Sequence, residues 1–144
     1  MILQNNLHAI VFVTSDTACF THAQFQTLLN DIITYNKANN IGELPVWANG
    51  NMLHFLEGSK EAVTAKDQIL KTNPCLQGNI KLYDNPIKQR YFEDYHFAFK
   101  PINTEWFRPY DDFAEPAKKE FFNECLELDD TIMKIVKDFI KNNS

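Results

Sequence analysis

Apolar positions along the chain recur with a period that switches between two and about 3.6 residues, and the switches divide it into elements. "LHAIVFVT", Leu7 to Thr14, is an almost unbroken β-branched and aromatic run. It predicts a buried strand with Ile10 and Phe12 on one face and Val11 and Val13 on the other. The next block, "CFTHAQFQTLLNDIITYN", carries Phe25, Leu28, Leu29, Ile32 and Ile33 at the spacing of one helical face. Thr21 and Gln24 are spaced as a capping box, in which each side chain satisfies a free backbone N–H, and Phe20 is placed to staple onto Phe25. These signals predict a helix over residues 22–36.

In "ELPVWANGNMLHFLEG" the pair Asn49-Gly50 lies between two apolar segments and suits the positive φ angles of a tight hairpin turn. Pro45 cannot donate to a sheet ladder, so the first arm is expected at an edge and the second in the centre. Ser59 then caps a helix running to about Lys71, with Val63, Ile69 and Leu70 buried and Pro74 just beyond its end. "NIKLYD" and "DYHFAFKPI" follow as strands four and five; in the latter, Tyr95, Phe97 and Phe99 alternate with His96, Ala98 and Lys100. The order is β-α-β-β-α-β-β, and the handedness rule for crossovers puts both helices on one face of a mixed sheet, an α+β, ferredoxin-like sandwich. After the loop "NTEWFRPYDDF", two further helices are expected over residues 116–127 and 130–142, the first opened by Pro116. Ile132, Ile135, Val136, Phe139 and Ile140 form an apolar stripe on the second, to be buried on the open sheet face or against a second copy of the chain.

Length fits one core: 144 residues, divided here into a unit over 7–102 and a helical extension over 103–144. Nineteen acidic residues against fourteen basic ones give a net charge of -5, and the longest basic run is Lys118-Lys119, which argues against a nucleic-acid surface. "MILQNNLHAIVFV" has no cationic start, and its apolar run is too short for a signal peptide or a membrane span, so a cytoplasmic setting is expected. Cys19, Cys75 and Cys125 are odd in number and widely spaced, as free thiols in a reducing compartment would be. No nucleophile-base pair, metal-ligand spacing or phosphate loop stands out, so an enzyme is not expected.

A strand, a helix, a hairpin, "LEG", a second helix, then "PIKQRYFEDY" leading into a last strand resembles the BLUF domain, a blue-light sensor that holds FAD between its two helices. The likeness runs over roughly residues 7–102. It rests on Leu7, Asn36, Ile41, Leu53, Leu56-Glu57-Gly58, Val63, Ile69, Pro86-Ile87, Arg90 and Phe92. The resemblance implies the ferredoxin-like fold, a flavin cleft, and C-terminal helices that cover the sheet and serve oligomerisation or output. Glu57 and Gly58 also have plain structural roles, the carboxylate beside a helix start and the glycine at a sharp strand-to-helix passage.

The positions that carry the family's chemistry differ. Where the resemblance implies a Tyr that gives an electron and a proton to the excited flavin, this chain has Phe12, whose ring has no acidic proton. Where it implies a Gln whose amide switches hydrogen bonds, the chain has His54, with one donor and one acceptor when neutral. Cys75-Leu76 stand in place of an Arg-His pair beside the diphosphate, and Tyr95 and Phe97 in place of the Trp and Met of signal relay. Asn36 remains of two Asn residues that hold the flavin edge, with Tyr35 at the first position and Glu43 adding negative charge nearby. Phe12, Asn36 and His54 are thus the positions of a degenerate flavin site, and the changes at Phe12 and His54 above all speak against normal BLUF photochemistry.

Each has a second reading. His54 is either a satisfied core histidine or a ligand contact with a charge that responds near neutral pH. Phe12 fills space a cofactor ring would take, Asn36 is a helix C-terminal or turn residue, and Tyr83 or Tyr95 is a replacement electron donor. The expected function is a BLUF-family sensory or regulatory protein, flavin-free or photochemically altered, acting as an interaction module through its terminal helices. Its partner is a second copy or a downstream protein. The alternative is a blue-light photoreceptor that still binds FAD.

Overall fold

The computed structural model describes residues 6–16, 21–48, 51–73, 76–91, 100–102 and 130–142. The elements are β1 (Leu7–Asp16), α1 (His22–Asn39), β2 (Gly42–Ala48), β3 (Asn51–Ser59), α2 (Lys60–Lys71), β4 (Leu76–Pro86), β5 (Lys100–Ile102) and, here numbered α3, Thr131–Asn142. They form a five-stranded sheet in the order β4-β1-β3-β2-β5. All neighbours are antiparallel except β2 and β5, which run parallel. The βαββαβ core with its fifth strand is the expected ferredoxin-like α+β arrangement.

Helix α1 starts as its sequence signals dictate. Gln24 N–H donates to Thr21 Oγ1 at 3.2 Å, and Thr21 N–H donates to Gln24 Oε1 at 2.9 Å. The helix continues past residue 36 and ends at Asn40, which takes a left-handed conformation with φ 54°. Asparagine tolerates that region better than most residues, so it serves as the cap here. Asn36 is therefore a buried residue of the last turns, not the cap. Ser59 caps α2, accepting from Ala62 N–H at 3.1 Å.

The two sheet faces separate as the alternation in β1 predicts. Ile10 and Phe12 pack with Leu56, Val63 and Leu70 on the side of α2. Ala9 and Val11 pack with Leu44, Val46, Leu53 and Phe55, and this second face is covered by Ile132, Met133, Val136 and Phe139 of α3. The terminal apolar stripe thus lies on the sheet of its own chain.

Three expectations change. Strand β2 is interior, flanked by β3 and β5; its described partners in β5 begin opposite Val46, one residue after Pro45, so the missing N–H is not required on those rungs. Ile69 is 48% exposed, whereas Lys66 and Asp67 are buried beside Val63 and Leu70. The inward face of α2 runs through 63, 66, 67 and 70, a helical stripe with two charges in its middle. Strand β4 is longer than "NIKLYD" and slips against β1, passing from Val11↔Tyr83 to Phe12↔Lys81 and from Val13↔Ile80 to Ser15↔Gln77. Leu82 is the extra residue of the first slip, and Gly78, with φ +69°, lies in the second. Such bulges turn side chains off the regular pleat; Ile80 and Leu82 are exposed.

The Asn49-Gly50 turn, the Phe20 staple, Pro74, the three cysteines, residues 92–99 with Tyr95 and Phe97, the 103–129 segment with its aromatic cluster, and the 116–127 helix all lie outside the described residues. Met133 is buried and Lys134 exposed on α3. Met133→Ala is expected to cost about 2–5 kcal/mol in urea unfolding. Lys134→Ala should change the same midpoint little.

Candidate functional site

Register sets the site. Phe12 of β1 lies directly opposite His54 of β3, and both side chains point to the face that carries α2. Their rings stack with centroids 4.3 Å apart and planes 10° from parallel. His54 is fully buried, and its Nε2 shares a hydrogen bond of 2.9 Å with Thr14 Oγ1. Its Nδ1 has no hydrogen-bond partner among the described residues. The tautomer that donates Nε2–H to Thr14 leaves only a lone pair unmatched, the less costly orphan.

Burial, and then the charge of Lys66, push the His54 pKa from 6.5 down to about 3. The ring is neutral at physiological pH. A histidine whose charge responds near neutrality is therefore not what the structure contains, because solvation of the imidazolium has been removed.

Beside this stack lies a buried polar group that joins β2, α1 and α2. Lys66 Nζ is 3.5 Å from Glu43 Oε1, with both side chains almost entirely enclosed. The Asn36 amide donates to the same oxygen at 3.1 Å, and the Lys66 ammonium sits 4.9 Å from the centre of the Tyr35 ring. Of the three predicted positions, Phe12 and His54 are in contact, and Asn36 belongs to this neighbouring group. Sequence reasoning placed Glu43 near the cleft but missed Lys66, because a lysine in a helix is by default a solvated one. The usable signal was its spacing, three residues after Val63 and four before Leu70.

A second charged set lies toward β4. Asp67 Oδ2 is 3.2 Å from Lys71 Nζ and 3.5 Å from Lys81 Nζ, and Lys81 donates to Asp84 at 2.9 Å. The His8 ring meets the same Asp84 carboxylate. Hydrogen bonds from His8 and Lys81 hold the Asp84 pKa below its ordinary value.

Other candidates fall elsewhere. Tyr83 packs against the α3 side of the sheet, the opposite face from Phe12 and His54, so it is not a neighbouring electron donor. Glu57 is buried and accepts from Tyr91 N–H at 2.6 Å rather than facing a helix terminus. Gly58 is not in a positive-φ conformation; a Cβ there would lie 3.2 Å from the Asn40 carbonyl oxygen, so close approach is what requires glycine. Among the described residues no group of three or more His, Cys, Asp or Glu could hold a metal ion. No helix among them is long and apolar enough to cross a membrane.

Two measurements check this electrostatic description. Lys66→Met leaves Glu43 as an uncompensated buried carboxylate and is expected to cost about 3–5 kcal/mol, most of it recovered in Glu43→Gln/Lys66→Met. Unfolded His54 takes up a proton below pH 6.5, whereas the folded ring resists to about 3, so its contribution is complete above pH 6.5 and lost as pH falls through that window. Between pH 7 and pH 5 this amounts to about 2 kcal/mol. In urea titrations His54→Gln should flatten the acid-side decline by that amount.

Comparison with known proteins agrees with this fold. No curated protein sequence matches. Among solved structures, the BlsA ground state is similar with TM-score 0.62 and 18% identity, over 88% of this chain and 92% of that one. The dark-state structure of BlrB, described as a BLUF protein, gives TM-score 0.65 and 14% identity over 85% and 96%. Klebsiella pneumoniae BlrP1 gives 0.72 and 14% over 94% and 34%. The chain thus spans about a third of BlrP1, and also of a bacterial light-regulated adenylyl cyclase that it resembles, and nearly all of BlrB and BlsA. At these identities the structures speak for the fold alone. The family itself is given by the sequence match to "BLUF: Sensors of blue-light using FAD" over residues 7–98, and the chain belongs to the BLUF family.

Proposed function

We propose that this BLUF-family chain is a sensory or regulatory interaction module whose flavin switch is lost or altered, and whose output runs through its C-terminal extension. The observation that carries this reading is the Phe12–His54 stack. The two positions meet face to face, one without an ionisable proton and the other fully enclosed and neutral. Asn36, the remaining flavin-edge position, has its amide nitrogen committed to Glu43, which is also paired with Lys66. These residues do not fit the family's flavin chemistry: Phe12 offers no electron-donating hydroxyl, His54 Nε2 is engaged by Thr14, and the Asn36 amide nitrogen is engaged by Glu43. The proposal takes 7–102 as the sensory unit and 103–144 as the extension, acting in the cytoplasm on a second copy or a downstream protein. It assigns the chain no enzymatic step of its own.

The second reading, a photoreceptor that keeps FAD, is favoured by His54 Nδ1, a buried polar atom in the site with no partner among the described residues. An absorption spectrum of the purified protein, in the dark and after blue light, separates the two. The expected result is a colourless protein that does not take up added FAD, or a yellow one whose spectrum is unchanged by light. A reversible light-induced shift would establish the second reading instead.

A further inference from the structure

Tyr91 stands between the site-bearing strand and the terminal helix. Its backbone N–H donates to Glu57 of β3 at 2.6 Å, and its ring meets Phe55 of β3 nearly edge-on, with centroids 5.3 Å apart. Its hydroxyl donates to Asp130 Oδ2 at 2.8 Å. Asp130 uses its other oxygen to begin α3, accepting from Met133 N–H at 2.9 Å, while its carbonyl accepts from Lys134 N–H at 2.9 Å. One residue therefore links Glu57, three positions from His54 on the same strand, to the first turn of α3.

These hydrogen bonds add direction to the apolar packing of α3. Its apolar stripe adheres to Leu44, Val46, Leu53 and Phe55, but apolar adhesion is non-directional and tolerates sliding. A helix of 12 residues is also marginal away from its packing surface. The hydrogen bonds at Asp130 fix both where the helix starts and where it sits. Burial, followed by the Asp130 carboxylate, pushes the Tyr91 hydroxyl pKa up, so the hydroxyl remains a donor across ordinary pH.

We propose that Tyr91 is a latch that holds α3 on the sheet, with its position set by Glu57, so that α3 is a releasable cover over the apolar face. The latch deepens the regulatory reading and takes its purpose from it, but its test needs neither flavin nor partner. Amide hydrogen exchange of the full chain reads it directly. Tyr91→Phe keeps the ring and the backbone N–H and removes only the hydroxyl. It should speed exchange of the α3 amides by roughly tenfold, the loss of one charge-assisted hydrogen bond, and leave α2 unchanged. Asp130→Ser keeps a capping oxygen and loses the one that faces Tyr91, so it should act alike, and the double variant should be no faster than the faster single one. Unchanged α3 exchange in Tyr91→Phe overturns the latch, as does acceleration spread evenly over α1, α2 and α3. A chain that shows the expected pattern yet has neither flavin nor partner keeps the latch and loses the regulatory reading.

Discussion

The antiparallel pairing of β1 with β3, from Leu7↔Ser59 to Ser15↔Asn51, is the constraint from which the other features follow. Both strands are covered on both faces, so the register decides at once what lies under α2 and what lies under α3. A slip of one residue between them would put Phe12 and His54 on opposite faces of the sheet, one under α2 and the other under α3. That register makes a stacked ring pair from two residues forty-two positions apart in the chain. It also gives β3 two roles, with His54 facing one way and Phe55 and Glu57 facing the other.

On the α2 side the protein tolerates an unusual amount of polarity. Enclosing a lysine and a glutamate removes both from water, and their attraction offsets that cost only when further hydrogen bonds complete the arrangement. Asn36 supplies one, and the Tyr35 ring shields the ammonium. The same positive charge helps keep His54 neutral, so the stack and the ion pair support one another. The site is therefore a set of mutually dependent groups in which neutrality of the imidazole and charge on Lys66 belong to one state.

Much of the fold was legible because it rests on local rules. The capping box at Thr21 and Gln24, the Ser59 cap and the alternation in β1 each act within a few residues and are found as read; on α3 the stripe holds at Ile132, Val136 and Phe139, while Met133 is fully buried and Ile135 and Ile140 are half-buried at its margins. The errors have non-local causes. Pro45 pointed to an edge strand, but the parallel strand β5 joins beyond it. Ile69 reads as buried from its hydrophobicity, whereas the buried face of α2 carries Lys66, which pairs with Glu43 on β2. Among the site residues, the flanking strand patterns fixed which family positions Phe12 and His54 occupy, but their stacking and the protonation of His54 depended on register and burial that no short window of sequence reveals. Glu57 seemed to belong to the following helix because its partner, Tyr91, lies thirty-four residues further on.

The triplet Leu56-Glu57-Gly58 is held in place by contacts that have nothing to do with light. Leu56 fills the core below α2, Glu57 receives the backbone of Tyr91, and Gly58 leaves room for the Asn40 carbonyl, which in turn accepts from Arg90. Every member answers to architecture. The triplet is thus a signature of the scaffold: it marks kinship in the backbone and is silent about what the cleft between the helices does.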